Sequence, residues 1–282
     1  MISGKTQNLG VIGYPIAHSL SPLMQNAALR QASLDYRYIA MPVLPEHLRQ
    51  AVLGLKGLSF RGFNVTIPHK TAIMPLLDEI QSDAEKIGAV NTVVNQKGRL
   101  IGYNTDVTGF LAAMKAERIS LQGKAIVILG AGGAARAVLW GMLKERAGKI
   151  MIGGRDVKKT AALLRDFSSD GDIEAAAWED TLLRERLQTA DLIVNATPLG
   201  MYPKTEEMVP LDWAVINPRA FLYDVIYTPQ KTRFLREGEA RGHRIANGVS
   251  MLVEQGAAAY FLWTGATADR QAMLQALQSA LI

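Results

Sequence analysis

Short apolar runs rich in branched residues alternate along the whole chain with longer segments whose apolar residues recur at helical spacing. This alternation predicts an α/β fold, since runs of this length suit buried strands and the longer segments suit helices that cover them. The predicted strands are Leu9–Ile12, Tyr36–Met41, Phe63–Ile67, Ala125–Leu129, Lys149–Ile152, Leu192–Asn195 and Phe221–Val225. The predicted helices are Pro22–Ala32, Glu46–Leu55, Gly133–Glu145, Val157–Phe167 and Thr232–Arg241.

One segment departs from this pattern. Ala89–Tyr103 contains two apolar runs separated by polar residues, and Lys97-Gly98 supplies a turn between them. The segment therefore predicts a β-hairpin within an otherwise alternating chain.

The length and the central segment indicate two lobes. At about 150 residues per domain, 282 residues correspond to a little under two domains. A predicted helix, Val107–Glu117, leads into a new strand announced by Gly123-Lys124, without a Pro-rich or Ser-rich linker. We expect a stiff helical junction, which suits two lobes around a cleft better than two independent domains.

Composition narrows the class of protein. The chain is 49% hydrophobic and 20% charged, as expected for a packed globular protein, and its net charge of +5 is spread without long runs of like charge. Nucleic acid is therefore not an expected partner, whereas anionic small molecules are. The absence of cysteine excludes disulfides, thiolate metal sites and cysteine nucleophiles, and it fits a reducing cytosol.

No membrane segment or signal peptide is expected. The stretch Thr6–Leu29 carries no formal charge, but its prolines, glycines and polar residues are incompatible with a bilayer helix. Lys5 is not followed by an unbroken apolar core and a small-residue cleavage site. We predict a cytoplasmic protein with no membrane partner.

A dinucleotide-binding motif follows the predicted strand Ala125–Leu129. Gly130, Ala131, Gly132, Gly133, Ala134 and Ala135 match G-x-G-x-x-G/A directly before a helix. Gly130 permits the tight turn, Gly132 lets a pyrophosphate approach the backbone, and Ala135 lets the helix pack closely. The N-terminus of that helix offers partly positive N–H groups. The motif predicts a Rossmann-type dinucleotide-binding lobe.

The choice of cofactor depends on the end of the next strand. NAD sites usually place a carboxylate there for the ribose 2′-hydroxyl, whereas this strand ends in glycine followed by Arg155. Arg155, with Lys159 nearby, favours the 2′-phosphate of NADP. Asp156 is the contrary signal, because its carboxylate would favour NAD if it faced the adenine ribose. NADP is the predicted cofactor, and NAD stays possible.

Several further motifs carry a family resemblance. They are Ser19–Pro22, Asn64–Lys70, Gly88–Thr92, Gly102–Asp106, Gly130–Arg136 and Asn195–Met201. In this order, and over nearly the whole chain, they resemble the shikimate dehydrogenase family of shikimate and quinate dehydrogenases.

The resemblance implies roles for individual residues. Lys70 and Asp106 would form the catalytic pair at the hydroxyl that is oxidised. Proton transfer of this kind must accompany hydride loss from an alcohol, and a lysine oriented by a carboxylate can perform it. The substrate-binding residues would be Ser19, Ser21, Thr66, Asn91, Gln255 and Tyr227. The nicotinamide half of the cofactor site would include Thr197, Val225 and Gly248.

Two of these assignments compete with other readings. Ser21 and Pro22 also fit a helix N-cap and its first helical position, a structural role that a carboxylate-binding role does not exclude. His69 is an alternative proton donor, but in an extended backbone it would face away from Lys70. The other histidines show no metal-ligand spacing, so no metal is expected.

The resemblance, together with the dinucleotide motif, implies an NADP-dependent dehydrogenase that interconverts 3-dehydroshikimate and shikimate on the route to chorismate and aromatic amino acids. The resemblance places residues 1–108 and the C-terminal helices 249–282 in an N-terminal substrate-binding and catalytic lobe, and 109–248 in the NADP-binding lobe.

A quinate/shikimate dehydrogenase using NAD and a non-catalytic ligand sensor are the alternatives. The chain is expected to be a monomer or a homodimer.

Overall fold

The computed structural model describes residues 2–280 and divides the chain into two compact units. The first unit contains the residues up to Gly109 and those from Val253 onward, and the second is Phe110–Leu252. Each unit has a six-stranded sheet with helices, so the predicted α/β class is confirmed. Within the described residues, no helix has both the length and the apolar character needed to span a bilayer.

The elements of regular structure alternate as follows. The strands are β1 Gln7–Gly13, β2 Tyr36–Pro42, β3 Gly62–Val65, β4 Glu79–Ile80, β5 Thr92–Gln96, β6 Arg99–Tyr103, β7 Ile126–Leu129, β8 Ile150–Gly154, β9 Ile173–Ala177, β10 Leu192–Asn195, β11 Phe221–Asp224 and β12 Ile245–Ala246. The helices are α1 Ser21–Gln31, α2 Leu48–Gly57, α3 Ser82–Ile87, α4 Asp106–Ala116, α5 Gly133–Lys144, α6 Val157–Phe167, α7 Thr181–Thr189, α8 Arg233–Glu239, α9 Val249–Thr264 and α10 Arg270–Gln278.

The sheet of the first unit is mixed, with strand order β2-β1-β3-β5-β6-β4. Strands β1, β2 and β3 run parallel, whereas β5 runs antiparallel to both β3 and β6. The predicted hairpin is confirmed: β5 and β6 are joined by Lys97 and Gly98, whose φ angles are 52° and 89°. The antiparallel β5 therefore begins at the sheet edge where β1, β3 and β6 end.

The sheet of the second unit is entirely parallel, with strand order β12-β11-β10-β7-β8-β9. The order reverses between β7 and β10, which is the point where sheets of this type bind ligands. All four residues of β7 are buried, because helices cover both faces of such a sheet. The predicted Rossmann-type arrangement is thereby confirmed.

Several element boundaries differ from the sequence-based ones. Strand β3 ends at Val65 instead of Ile67, because the chain turns at Ile67 and Pro68. The predicted helix Glu46–Leu55 begins as a short 3-10 turn at Pro45–His47 and continues as α2. Sequence reasoning missed β4, β9, β12, α3 and α7. These are short or lack strong apolar periodicity, so their pairing is decided by tertiary contacts.

A close approach in the first unit requires a glycine. The Trp263 indole is fully buried and donates a hydrogen bond to the Val93 carbonyl oxygen at 2.9 Å. A Cβ added at Gly62 would overlap Trp263 Nε1 and lie 2.5 Å from that carbonyl oxygen. The absence of a side chain at Gly62 thus leaves room for the Trp263 indole to pack against the sheet.

We predict that Gly62→Ala lowers the free energy of unfolding by about 1–3 kcal/mol, because overpacking forces side chains and backbone to shift. Gly54→Ala is the control: a Cβ there, in the exposed middle of α2, meets nothing within 4 Å. That control should be stabilising by roughly 0.5–1 kcal/mol. Urea denaturation followed by tryptophan fluorescence measures both, and equal effects of the two substitutions would refute the packing argument.

Candidate active site

The sheet edge of the first unit collects three of the predicted site residues. Lys70 lies in the turn after β3, Asn91 directly precedes β5, and Asp106 is the first residue of α4, which follows β6. They converge because the antiparallel β5 starts where its two neighbouring strands end.

Lys70 and Asp106 form an ion pair at this edge. Lys70 Nζ lies 2.5 Å from Asp106 Oδ2, and the two side chains are 16% and 9% exposed. Asn91 Nδ2 donates to the other carboxylate oxygen, Asp106 Oδ1, at 2.8 Å. The Asp106 N–H donates to Asn104 Oδ1 at 3.0 Å, which fixes the backbone at the start of α4. The result is an oriented ammonium group that still reaches solvent, beside a carboxylate that is held in place.

Gln255 joins the same group of polar side chains from α9. Its Oε1 accepts hydrogen bonds from Asn91 Nδ2 at 3.5 Å and from Thr105 Oγ1 at 3.4 Å. The Thr105 N–H donates to Asn91 Oδ1 at 2.7 Å, so Thr105 also orients the Asn91 amide. Sequence reasoning did not single out Thr105, although it stands inside the Asn-Thr-Asp motif that carried Asp106.

Ser19 and Ser21 follow β1 at the same sheet edge. The expectation that Ser21 caps the helix is wrong: α1 begins at Ser21 itself, Leu20 is the N-cap, and no side chain caps the helix. Pro22 is tolerated as the second helical residue, because the N–H it lacks is one of those without an intrahelical partner. Ser19 Oγ accepts the Ser21 N–H at 3.3 Å. Neither serine is therefore the N-cap residue of α1, although Ser19 Oγ accepts the N–H of its first residue.

The turn after β3 holds Thr66 and His69. The Thr66 N–H donates to the Ile12 carbonyl oxygen at 3.0 Å, and the Thr66 carbonyl oxygen accepts the His69 N–H at 2.9 Å. The backbone at His69 is a turn and not the extended strand in which His69 was expected to face away from Lys70. His69 is instead 1% exposed, and its Nε2 lies 2.7 Å from the Val43 carbonyl oxygen. This buried backbone contact, rather than strand alternation, occupies the imidazole.

The glycine-rich loop of the second unit fits a dinucleotide. Gly130 has a φ of 115°, and a Cβ there would come within 3.0 Å of the Ala196 carbonyl oxygen. Gly132 is the N-cap of α5; no side chain caps this helix, and a Cβ at Gly132 would meet nothing within 4 Å. Gly133 and Ala134 form the first turn of α5. The arrangement leaves open space in front of helix N–H groups, where a pyrophosphate can bind.

The residues after β8 include Arg155, which favours NADP, and Asp156, which favours NAD, and the two have different surroundings. Arg155 directly follows β8, is exposed, and forms no ion pair within residues 2–280. Asp156 is the N-cap of α6, and its Oδ1 accepts the Lys159 N–H at 3.1 Å. Lys159 Nζ lies 3.8 Å from Asp156 Oδ2. Because Asp156 is engaged in capping and Arg155 is not paired, the loop presents positive charge that suits a 2′-phosphate.

A buried hydrogen-bond network ties together the loops after β10 and β11. Thr197 donates to Asn195 Oδ1 through its N–H at 3.1 Å and its hydroxyl at 2.7 Å. Asn195 Nδ2 lies 3.1 Å from both carboxylate oxygens of Asp224, and Thr232 Oγ1 donates to Asp224 Oδ2 at 2.6 Å. Sequence reasoning missed Asp224 and Thr232 as members of this network. The only feature that could have indicated them is a polar residue next to an apolar run. The Thr197 hydroxyl is therefore engaged within this loop.

Three further predicted residues follow β11 or precede α9. The Val225 N–H donates to the Asn195 carbonyl, and the Gly248 N–H donates to the Ile226 carbonyl, both at 3.0 Å. A Cβ at Gly248 would overlap the Val225 carbonyl oxygen, so this approach requires glycine. Burial raises the pKa of the Tyr227 phenol above its usual value. Tyr227 belongs to the second unit, unlike the other predicted substrate-binding residues.

The chain matches known proteins over nearly its full length. Residues 11–93 match the model of the shikimate dehydrogenase substrate binding domain, 111–212 that of shikimate/quinate 5-dehydrogenase, and 248–278 that of the shikimate 5′-dehydrogenase C-terminal domain. A shikimate dehydrogenase (NADP(+)) of Desulforamulus reducens is 43% identical over 98% of this chain and 96% of its own length. One of Geobacter metallireducens is 46% identical, covering 94% and 93%. A crystal structure of shikimate dehydrogenase in complex with NADP+ superposes with a TM-score of 0.92 at 39% identity, covering 100% and 98%.

The buried Asp224 predicts a pH-dependent stability. Burial raises the pKa of Asp224 from 3.8 to about 6, although the hydrogen bonds from Thr232, Ile226 and Asn195 oppose the shift. The folded protein therefore binds this proton more tightly than the unfolded chain does. Relative to Asp224→Asn, the wild type should lose on the order of 3 kcal/mol of unfolding free energy as pH rises from about 4 to about 6.5, and nothing further above that.

Urea titrations of both proteins across this pH range measure the difference, and the exposed Glu185→Gln is a control for removing one carboxyl group from the same unit. A wild-type-minus-variant difference that stays constant with pH would contradict the raised pKa.

Proposed function

The chain belongs to the shikimate dehydrogenase family, and we propose that it catalyses the reversible NADPH-dependent reduction of 3-dehydroshikimate to shikimate, a step toward chorismate and the aromatic amino acids. The observation that carries this proposal is the Lys70–Asp106 ion pair, with Asn91 donating to the same carboxylate. Such a pair supplies the proton that must accompany hydride transfer at a carbonyl.

When bound, NADP supplies hydride to the carbonyl carbon or accepts it from the alcohol carbon. In the reductive direction the Lys70 ammonium donates its proton to the carbonyl oxygen as the C–H bond forms, and the resulting amine takes a proton back from solvent. In the oxidative direction the Lys70 amine accepts the hydroxyl proton. Asp106 orients the amine through a charge-assisted hydrogen bond and stabilises its protonated form.

Neutral donors and acceptors around this pair suit a polyhydroxylated acid. Ser19 and Ser21 stand at the N-terminus of α1, where hydroxyl donors and the helix dipole favour a carboxylate. With serine at both positions, the chain resembles the shikimate-preferring members of the family more than the quinate-preferring ones. Thr66, Asn91 and Gln255 are assigned to the ring hydroxyls. Tyr227 is included among the substrate-binding residues on the family resemblance.

NADP binding is assigned to the second unit. The uncapped N-terminus of α5 and the open space at Gly132 suit the pyrophosphate, and Arg155 with Lys159 suits the 2′-phosphate. Ala131, Gly133 and Ala134 complete the loop, and Thr197, Val225 and Gly248 are assigned to the nicotinamide half. We further propose a cytoplasmic location and a monomeric or homodimeric state.

The direct test mixes the purified protein with shikimate and NADP and follows absorbance at the reduced-nicotinamide band. The same assay is repeated with NAD and with quinate. We expect the fastest rates with shikimate and NADP. Faster turnover of quinate or NAD would favour the quinate/shikimate dehydrogenase, and shikimate binding without any absorbance change at high protein concentration would favour a ligand sensor.

We predict that Lys70→Ala lowers kcat by roughly 10²–10⁴-fold, the usual contribution of positioned acid–base catalysis, while NADP affinity changes little. Lys56→Ala is the matched control, since Lys56 pairs with Asp78 at 2.9 Å elsewhere on the first unit and should be dispensable. Steady-state kinetics and cofactor fluorescence titration measure the two quantities. Near-normal turnover of Lys70→Ala would remove Lys70 from the mechanism.

We predict that Arg155→Ala raises the KM for NADP by roughly 10-fold, because it removes a charge-assisted contact to the 2′-phosphate, and leaves the KM for NAD unchanged. Arg165→Ala, an exposed arginine in the last turn of α6, serves as the control. An equal loss with both cofactors would mean that Arg155 does not read the 2′-phosphate.

A further inference from the structure

A chain of buried hydrogen bonds links a distant strand of the first unit to the catalytic pair. Its members are Tyr38 on β2, Asn64 on β3, Thr92 on β5, and Asn91 and Asp106 at the sheet edge. Taken as whole residues they are 1%, 7%, 0%, 3% and 6% exposed, so water cannot readily replace a missing partner. We refer to these five residues as the Tyr38 relay.

Each of the four hydrogen bonds that join the Tyr38 relay is donated in the direction of Asp106. The Tyr38 hydroxyl donates to Asn64 Oδ1 at 2.7 Å, and Asn64 Nδ2 donates to Thr92 Oγ1 at 3.0 Å. Thr92 Oγ1 donates to Asn91 Oδ1 at 2.9 Å, and Asn91 Nδ2 donates to Asp106 Oδ1 at 2.8 Å. Asp106 Oδ2 then accepts from Lys70. In a series of hydrogen bonds in which each group both accepts and donates, the bonds polarise one another and strengthen cooperatively.

The Tyr38 hydroxyl and the Asn91 carbonyl together orient the Asn64 amide. Because Asn64 Oδ1 accepts the Tyr38 hydroxyl, the amide nitrogen faces Thr92 and also donates to the Asn91 carbonyl at 3.0 Å. Thr92 Oγ1 accepts this bond, which leaves its own hydrogen for Asn91. Without the Tyr38 hydroxyl, Asn64 Oδ1 has no donor at that end. The Asn91 carbonyl and Thr92 Oγ1 still accept from the amide nitrogen, so the amide keeps its orientation but is held from one end only, and its hydrogen bond to Thr92 is less well aligned.

Packing does not explain why this tyrosine carries a hydroxyl. The Tyr38 ring lies 5.9 Å from the Trp263 ring, a contact that phenylalanine would preserve. The hydroxyl supplies the hydrogen bond to Asn64, the first of the series that ends at Asp106.

We propose that Tyr38 is a positioning residue for the reaction: acting through Asn64, Thr92 and Asn91, its hydroxyl holds the hydrogen bond that orients Asp106 and thereby the Lys70 amine. This inference rests on the proposed function, because its readout is catalysis by that pair. The Thr105 N–H also holds Asn91 Oδ1, at 2.7 Å, so loss of the Tyr38 hydroxyl weakens the alignment without releasing Asn91.

The test compares Tyr38→Phe with Tyr260→Phe. Tyr260 is a matched control: it is fully buried in the same unit, and its hydroxyl has no hydrogen-bond partner among residues 2–280. We expect Tyr38→Phe to lower kcat roughly 10-fold with little change in the KM for shikimate, since alignment of the acid–base pair affects the chemical step. The primary deuterium isotope effect on kcat, measured with deuterated NADPH, should be at least as large as in the wild type. Tyr260→Phe should leave kcat unchanged.

A second variant breaks the same chain at another link. Thr92→Val keeps the side-chain shape but removes the hydroxyl, so it should lower kcat with the same unchanged KM. If Tyr38→Phe fails to fold, Thr92→Val decides the question. In the double variant the loss in kcat should be no greater than that of the slower single variant, because residues of one network are not additive.

Three results would overturn the proposal: wild-type kcat in Tyr38→Phe, an effect confined to KM, or independent multiplication of the two losses in the double variant. An inactive wild type would refute the proposed function itself. An active wild type with a normal Tyr38→Phe would refute only the Tyr38 relay.

Discussion

The site depends on one buried negative charge, that of Asp106, and on the groups that hold it. Its carboxylate is paired with the Lys70 ammonium on one oxygen and with the Asn91 amide on the other. A charge in so enclosed a place is tolerated only when it is paired and hydrogen-bonded. These partners come from the turn after β3 and the start of β5, so the mixed sheet is what makes the ion pair possible.

Much of the fold follows from local pattern, and the remainder depends on tertiary contacts. Apolar runs such as Ile126–Leu129 predict buried strands. Lys97-Gly98 between two apolar runs predicts the hairpin, and the structure shows the positive φ at both residues that such a two-residue turn requires. The pattern does not reveal that β5 pairs with β3. This pairing places β5 between β3, the last of the three parallel strands, and β6, the second strand of the hairpin. That pairing joins residues distant in sequence, and it decides that Asn91 reaches Asp106. Strand β9, with the sequence Ile-Glu-Ala-Ala-Ala, has too weak an apolar signal to be identified locally.

The candidate site shows the same division. Motifs identify Lys70, Asn91 and Asp106 because their residue types and order are distinctive. They do not identify Thr105, Thr92 or Tyr38, which become significant only through partners that the fold brings within hydrogen-bond distance. Local reasoning also erred where the backbone was not as assumed: Ser21 is the first helical residue and not the cap, and His69 lies in a turn. In the second unit, only the structure shows that Asp156 caps α6 while Arg155 forms no ion pair within residues 2–280.

In the proposed mechanism the Lys70 amine itself transfers the proton, and Asp106 holds that amine in place. Chemical rescue tests this most directly: shikimate oxidation by Lys70→Ala protein is measured with a series of small primary amines of different basicity. We expect added amine to restore turnover in a saturable manner and the rescued rate to follow amine basicity, as is usual for acid–base catalysis. No rescue, or rescue independent of amine basicity, would contradict it.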